Sequence, residues 1–94
     1  MDPSHRRAIV KCWTTLVHQV TEDQVYCIAD YLLERGILTS VLWERMTHRP
    51  DTADKMRFTL TSLLGRGPLA FHALVNALLS CEATLLACDL LSHT

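Results

Sequence analysis

The chain has few of the residues that break helices and build turns: three glycines and three prolines in 94 residues. An all-β fold needs a turn signal every 8–12 residues or so, drawn largely from Gly and Pro, so that class is excluded. There is no apolar run approaching the roughly 18 residues a membrane span needs. The start, "MDPSHRRAIVKCW", carries charges and no uninterrupted apolar stretch, so no signal peptide is expected and the cytoplasm is the default location. A basic excess is missing too: Lys and Arg number 9 against 10 Asp and Glu. A DNA- or RNA-binding domain draws its affinity from a positive surface, so a nucleic-acid partner is disfavoured and a small helical DNA-binding domain is only a remote alternative.

Catalytic and metal motifs are absent as well. Cys12, Cys27, Cys81 and Cys88 contain no C-x-x-C, and their neighbours are mostly apolar or helix-forming. They read as free, buried or half-buried thiols in a reducing compartment. His5, His18, His48, His72 and His93 never pair with one another at i, i+4, so no helical histidine pair awaits a zinc ion and no metal or cofactor is expected. "LLACDLL" has the Ala-Cys of a caspase nucleophile but lacks the Gln before it and the Gly after it. Phosphate loops, H-E-x-x-H and nucleophile elbows are also missing. The expectation is a non-catalytic binding module.

What is present is helical periodicity throughout. Ninety-four residues make one domain, which at this size hides about two-thirds of its unfolded surface. Ile9, Cys12, Trp13, Leu16, Val17 and Val20 share a face of the first helix. Val25, Ile28, Ala29, Leu32 and Leu33 do so in a second, spanning about 22–35, with Thr21 as N-cap and Gly36 as its stop. "LTSVLWERMTH" reads as a short third helix capped by Thr39 or Ser40. Asp51 and Asp54 open a fourth, which buries Met56, Leu60, Leu63 and Leu64 and ends in a left-handed cap at Gly65 or Gly67. Pro68 fits position N1 of a fifth helix whose only polar stripe is His72, Asn76 and Ser80. That helix should be buried nearly all round. A sixth, Ala83 to Leu91, offers Leu85, Leu86 and Leu90 to the core. Six short helices with tight connections imply an all-α antiparallel bundle.

Function must then lie on surfaces. Arg7, Lys11, Thr14 and His18 form a basic stripe opposite the core face of the first helix. Asp23, Cys27, Asp30 and Glu34 form an acidic stripe on the second, with Cys27 expected to be partly exposed. A module with opposite charge on two flanks can bind head-to-tail, its own kind included. Phe58 projects away from the core face of its helix amid Lys55, Thr59 and Ser62, as a possible exposed apolar contact.

Three stretches carry a family resemblance. "MDPSHRRAIVKCWTTLV", "YLLERGILTSVLWERM" and "LLGRGPLAFHALVNALL" resemble the first helix, the second-to-third helix turn and the R-G-P-x-A-F/Y joint of caspase recruitment domains, or CARDs. The likeness is nearest to the prodomains of initiator caspases of the caspase-nine and insect Dronc type. The caspase-two group and its CARD adaptor stand close behind. The resemblance implies a six-helix antiparallel Greek-key bundle of the death-fold superfamily spanning residues 1–94, with a bent or broken first helix. It further implies binding to a CARD-containing adaptor that gathers an apical caspase into an apoptosome-type oligomer, for activation by proximity in apoptosis. The same fold on an adaptor is the alternative. By this resemblance Lys11 and Arg57, with Lys55 nearby, form a basic partner-binding face that Arg7 joins from its stripe, and Asp30 and Glu44, extended by Glu34, an acidic one that Asp23 joins from its stripe. Trp13 stands where a partner-binding Arg can occur in the family.

Overall fold

Asp2 begins the first helix: its carboxylate accepts a 2.9 Å hydrogen bond from the Ser4 backbone N–H, and Pro3 occupies the first turn, where a missing N–H costs nothing. Both Ser4 bonds, from backbone and hydroxyl, hold the Asp2 carboxyl below its ordinary range. The computed structural model describes residues 1–94, all of the chain. Helix α1 (Pro3–Lys11) stops at Cys12, whose N–H is shared between the carbonyls of Ala8 and Val10, and α2 (Trp13–His18) follows at once. The single first helix expected from periodicity is therefore broken in two, as the family resemblance implies.

Helix α3 (Glu22–Glu34) opens on a full capping box, Thr21 and Gln24 each satisfying the other's backbone N–H. It closes on Gly36 at φ 74°, with Gly36 N–H bonded to Leu33 O and Ile37 N–H to Leu32 O. This Schellman pair needs the left-handed conformation that glycine adopts without a steric penalty. Helix α4 (Ser40–Thr47) is capped by Thr39 rather than Ser40. Helix α5 (Thr52–Leu64) is capped by Asp51, which accepts from Asp54 N–H at 2.8 Å.

The exit from α5 departs from expectation. Neither Gly65 nor Gly67 is left-handed. Leu63 O is bonded by Arg66 N–H, and the last helical carbonyl and the turn after it are tied to the first residues. The Arg6 guanidinium donates to Leu64 O at 3.2 Å, and the Met1 ammonium donates to Arg66 O at 2.8 Å. Cationic donors at a helix C-terminus also match the sign of its dipole. Pro68 is not at N1: helix α6 (Ala70–Ser80) starts two residues later, after a turn closed by Ala70 N–H on Gly67 O.

Helix α6 packs on α3, α5 and the last helix, α7 (Thr84–Ser92), while α5 packs on α2, α3, α4 and α6, so the two share the centre of the bundle. It buries Ala70, Phe71, Leu74, Val75, Ala77 and Leu78, and its His72, Asn76 and Ser80 stripe is exposed as expected. The burial is less complete than the sequence suggests, since Leu69 and Leu79 also reach solvent. On α7 the core face is Leu86, Ala87 and Leu90. Leu85, expected on the core face, is instead 85% exposed, one position around the helix from Leu86. Counting α1 and α2 as one interrupted helix, six helices enclose one apolar core.

Candidate interaction surfaces

The basic stripe survives folding on the first two helices. Arg7 and Lys11 on α1, and Thr14 and His18 on α2, are all exposed. Arg7 and Lys11 take part in no ion pair, so their charge is directed outward. Arg57 on α5 is also exposed, and lies 3.7 Å from Asp54 of its own helix. Since α2 packs on α5, the elements bearing Lys11 and Arg57 are linked through α2.

Lys55 does not belong to that surface. It is only 7% exposed, and its ammonium donates a 2.9 Å bond to Glu22 of α3 while resting 5.8 Å above the Tyr26 ring. The Glu22 carboxylate holds the ammonium above its usual pKa range. A buried cation needs a partner, and α5 packs close enough to α3 for Glu22 to supply one. Helical periodicity alone placed Lys55 toward solvent; the neighbouring helix put it under cover.

On the acidic side Asp23, Asp30 and Glu34 stand exposed along α3. Asp30 is held in place: Trp43 of α4 donates its indole N–H to Asp30 Oδ1 at 2.8 Å, and the same indole meets Tyr26 edge-on. Glu44 is exposed but faces a different way. It lines a cleft of about 460 Å³ between α4 and α5, together with Val41, Arg45, His48, Arg49 and Phe58. The four acidic residues are thus divided, three on α3 and one beside a cluster of positive side chains. Phe58 is half-buried in that cleft with the Arg49 guanidinium 5.6 Å above its ring, so it is not the isolated exposed aromatic the sequence suggests. Arg49 in turn lies 3.5 Å from Asp54. Sequence reasoning missed this cleft, although Arg45, His48 and Arg49 at i, i+3 and i+4 were a visible signal.

The cysteines give the clearest correction. Cys27 and Cys81 are joined in a disulfide, with Cα atoms 5.9 Å apart, where four free thiols were expected. The pair lies 54 residues apart in sequence and carries no spacing motif, so only the packing of α3 on α6 brings it together. Cys27 is exposed, as expected of its stripe, and the bond sits in a shallow depression with Thr21, Asp23, Gln24, Ser80 and Glu82. Of the free cysteines, Cys88 is exposed and Cys12 is buried. Burial, with Asp89 beside it, pushes the Cys12 thiol up to about 11.

These features meet in a helical bundle with charged, uncrowded faces, and the family model for the caspase recruitment domain matches residues 6–93. The chain belongs to the caspase recruitment domain family, and its broken first helix and six-helix bundle are the death fold. Such a domain is a non-catalytic, homotypic interaction module that binds other CARD-containing proteins. Comparison with characterised proteins gives no match. No helix is long and apolar enough to cross a membrane.

Proposed function

We propose that this CARD recruits an apical caspase to an adaptor oligomer of the apoptosome type, where crowding of the attached protease activates it in apoptosis. The three sequence stretches resembling initiator-caspase prodomains of the caspase-nine and Dronc type support this reading, and residues 1–94 act in it as one CARD in the cytoplasm. The observation that carries it is the free positive charge of Arg7 and Lys11, exposed and without an internal partner. Such charge steers and orients an acidic partner surface more than it adds affinity. Arg57 extends the same face, and Lys55 serves Glu22 instead.

Reversing Lys11 and Arg57 to Glu is expected to weaken adaptor binding in a cytosolic pull-down while circular dichroism stays helical. Unchanged capture by the folded double variant would refute the basic face. A second reading places the chain on the adaptor, with the acidic residues of α3 and Glu44 as the working surface. The fixed carboxylate of Asp30 favours it, because a positioned charge costs less to order on binding. Asp30 and Glu44 reversed to Lys would then be the variant that loses its partner. Self-association follows if both reversals weaken binding alone and restore it when mixed.

A further inference from the structure

Asp89 and His93 stand at i, i+4 on the last turns of α7, on one helical face. Facing them is Cys12, at the break between α1 and α2. The Cys12 sulfur, an Asp89 carboxylate oxygen and a His93 ring nitrogen all lie within 4.8 Å of one another. The Cys12 Sγ to His93 Nδ1 separation is 3.4 Å. In a tetrahedral zinc site, with a sulfur bond of about 2.3 Å and a nitrogen bond of about 2.0–2.1 Å, that edge is about 3.5 Å. The geometry gathers the three donors, and closing on an ion requires the carboxylate to move inward and the His93 ring to leave the Asp89 carbonyl.

The donors are engaged only with one another and with α7 itself. Asp89 forms no ion pair. His93 Nδ1 lies 2.9 Å from the Asp89 backbone carbonyl and 3.3 Å from Ser92 Oγ, contacts it would exchange for a metal bond. Cys12 is 2% exposed, which keeps its sulfur from solvent, and that sulfur meets the His93 ring at the end of α7. The search for paired histidines missed this constellation because its three members are of three residue types and two distant segments.

We propose that Cys12, Asp89 and His93 bind a divalent cation of the zinc class, with the fourth position left to water. One thiolate, one carboxylate and one neutral imidazole balance the charge of the ion, and the sulfur and nitrogen donors select zinc over magnesium or calcium. Binding exchanges the Cys12 thiol proton for the metal: the S–H bond breaks, the proton leaves to solvent and the sulfur keeps the electron pair that forms the S–Zn bond. The ion fastens the end of α7 to the α1–α2 break, beside Lys11. This inference does not depend on which partner the domain binds.

The test is a Co²⁺ titration of the 94-residue chain carrying Cys88→Ser, with the Cys27–Cys81 bond intact and no reductant present. A saturable one-to-one thiolate-to-cobalt charge-transfer band, bleached by Zn²⁺, is expected. Cys12→Ser should abolish the band. His93→Ala, at an exposed position, should leave the helicity intact and weaken Co²⁺ at least about 10-fold, the smallest loss seen even for an outer-shell partner of zinc. Absence of a saturable band, or a band unchanged in folded His93→Ala, overturns the site. Should Cys12→Ser fail to fold, the His93 variant decides alone.

Discussion

The indole nitrogen of Trp43 donates a 2.8 Å hydrogen bond to Asp30 Oδ1, tying α4 to the acidic stripe of α3. Asp30 is therefore both a surface charge and a structural acceptor. The two roles separate by mutation. Trp43→Phe keeps an aromatic against Tyr26 but removes the donor together with part of a ring packed on the core, so a loss of at least about 1 kcal/mol in urea unfolding is expected. Partner binding through the acidic face should persist in that variant, whereas Asp30→Lys should lose stability and acidic-face binding together. Equal stability of Trp43→Phe and the parent would show that the bond contributes nothing in solution.

The Cys27–Cys81 disulfide closes a loop of 54 residues in sequence separation. Constraining an unfolded chain over that length stabilises the fold by about 4 kcal/mol in the chain-entropy model. Reduction, or the Cys27→Ser, Cys81→Ser pair, should lower the unfolding free energy by up to that amount while the helical signal at low denaturant stays. Thiol counting under denaturing conditions provides the check. Two reactive thiols, Cys12 and Cys88, are expected before reduction and four after it. Four before reduction would mean the bond does not form.

Beside that bond, Glu82 is the one non-glycine residue with positive φ, at 63°. It terminates α6 as Gly36 terminates α3: Ala83 N–H bonds to Leu78 O and Glu82 N–H to Leu79 O. A side chain in this left-handed position costs about 1–2 kcal/mol relative to right-handed backbone, a penalty glycine escapes. Glycine's greater freedom in the unfolded chain offsets part of the gain. Glu82→Gly should raise stability by roughly 0.5–1 kcal/mol, read as a higher thermal midpoint. A lower midpoint would mean the Glu82 side chain contributes contacts that outweigh its backbone strain.

The Asp2 cap makes the start of α1 sensitive to acid. Its carboxyl lies below the ordinary 3.8 because the Ser4 N–H and hydroxyl bind the charged form. A group with a depressed folded pKa stabilises fully above its unfolded value and loses that contribution as pH falls through the folded one. Stability is thus expected to be flat in this respect above about pH 4 and to decline below it, through the lowered value. In Asp2→Asn, which can still cap, that part of the acid dependence should vanish. Parallel acid titration curves of unfolding free energy in the two proteins would refute the assignment.

Much of the bundle is legible locally. Thr21, Thr39 and Asp51 cap the helices they precede, and Gly36 ends the second expected helix, because caps act over three or four residues of continuous chain. The same reach explains the failures. Neither Gly65 nor Gly67 takes the left-handed role its position suggests: Arg66 N–H bonds Leu63 O locally, and Arg6, 58 residues away in sequence, donates to Leu64 O. Lys55, which the family resemblance sets near a basic face, is instead claimed by Glu22 on another helix. Of the residues proposed as contacts, the charged ones on α1 and α3 stand exposed where periodicity puts them, and Glu44, though exposed, lines a cleft between helices with the half-buried Phe58.

By itself the sequence determines the all-helical class, the order of the helices, the N-caps at Thr21, Thr39 and Asp51 and most of the faces the helices bury. Apolar spacing at i, i+3 and i+4 and capping chemistry are properties of a single segment. Only the tertiary structure decides which charges remain free, which cysteines meet and where Cys12, Asp89 and His93 converge. Those are distances between segments far apart in the chain, set by how α5 and α6 gather α2, α3, α4 and α7 around one core.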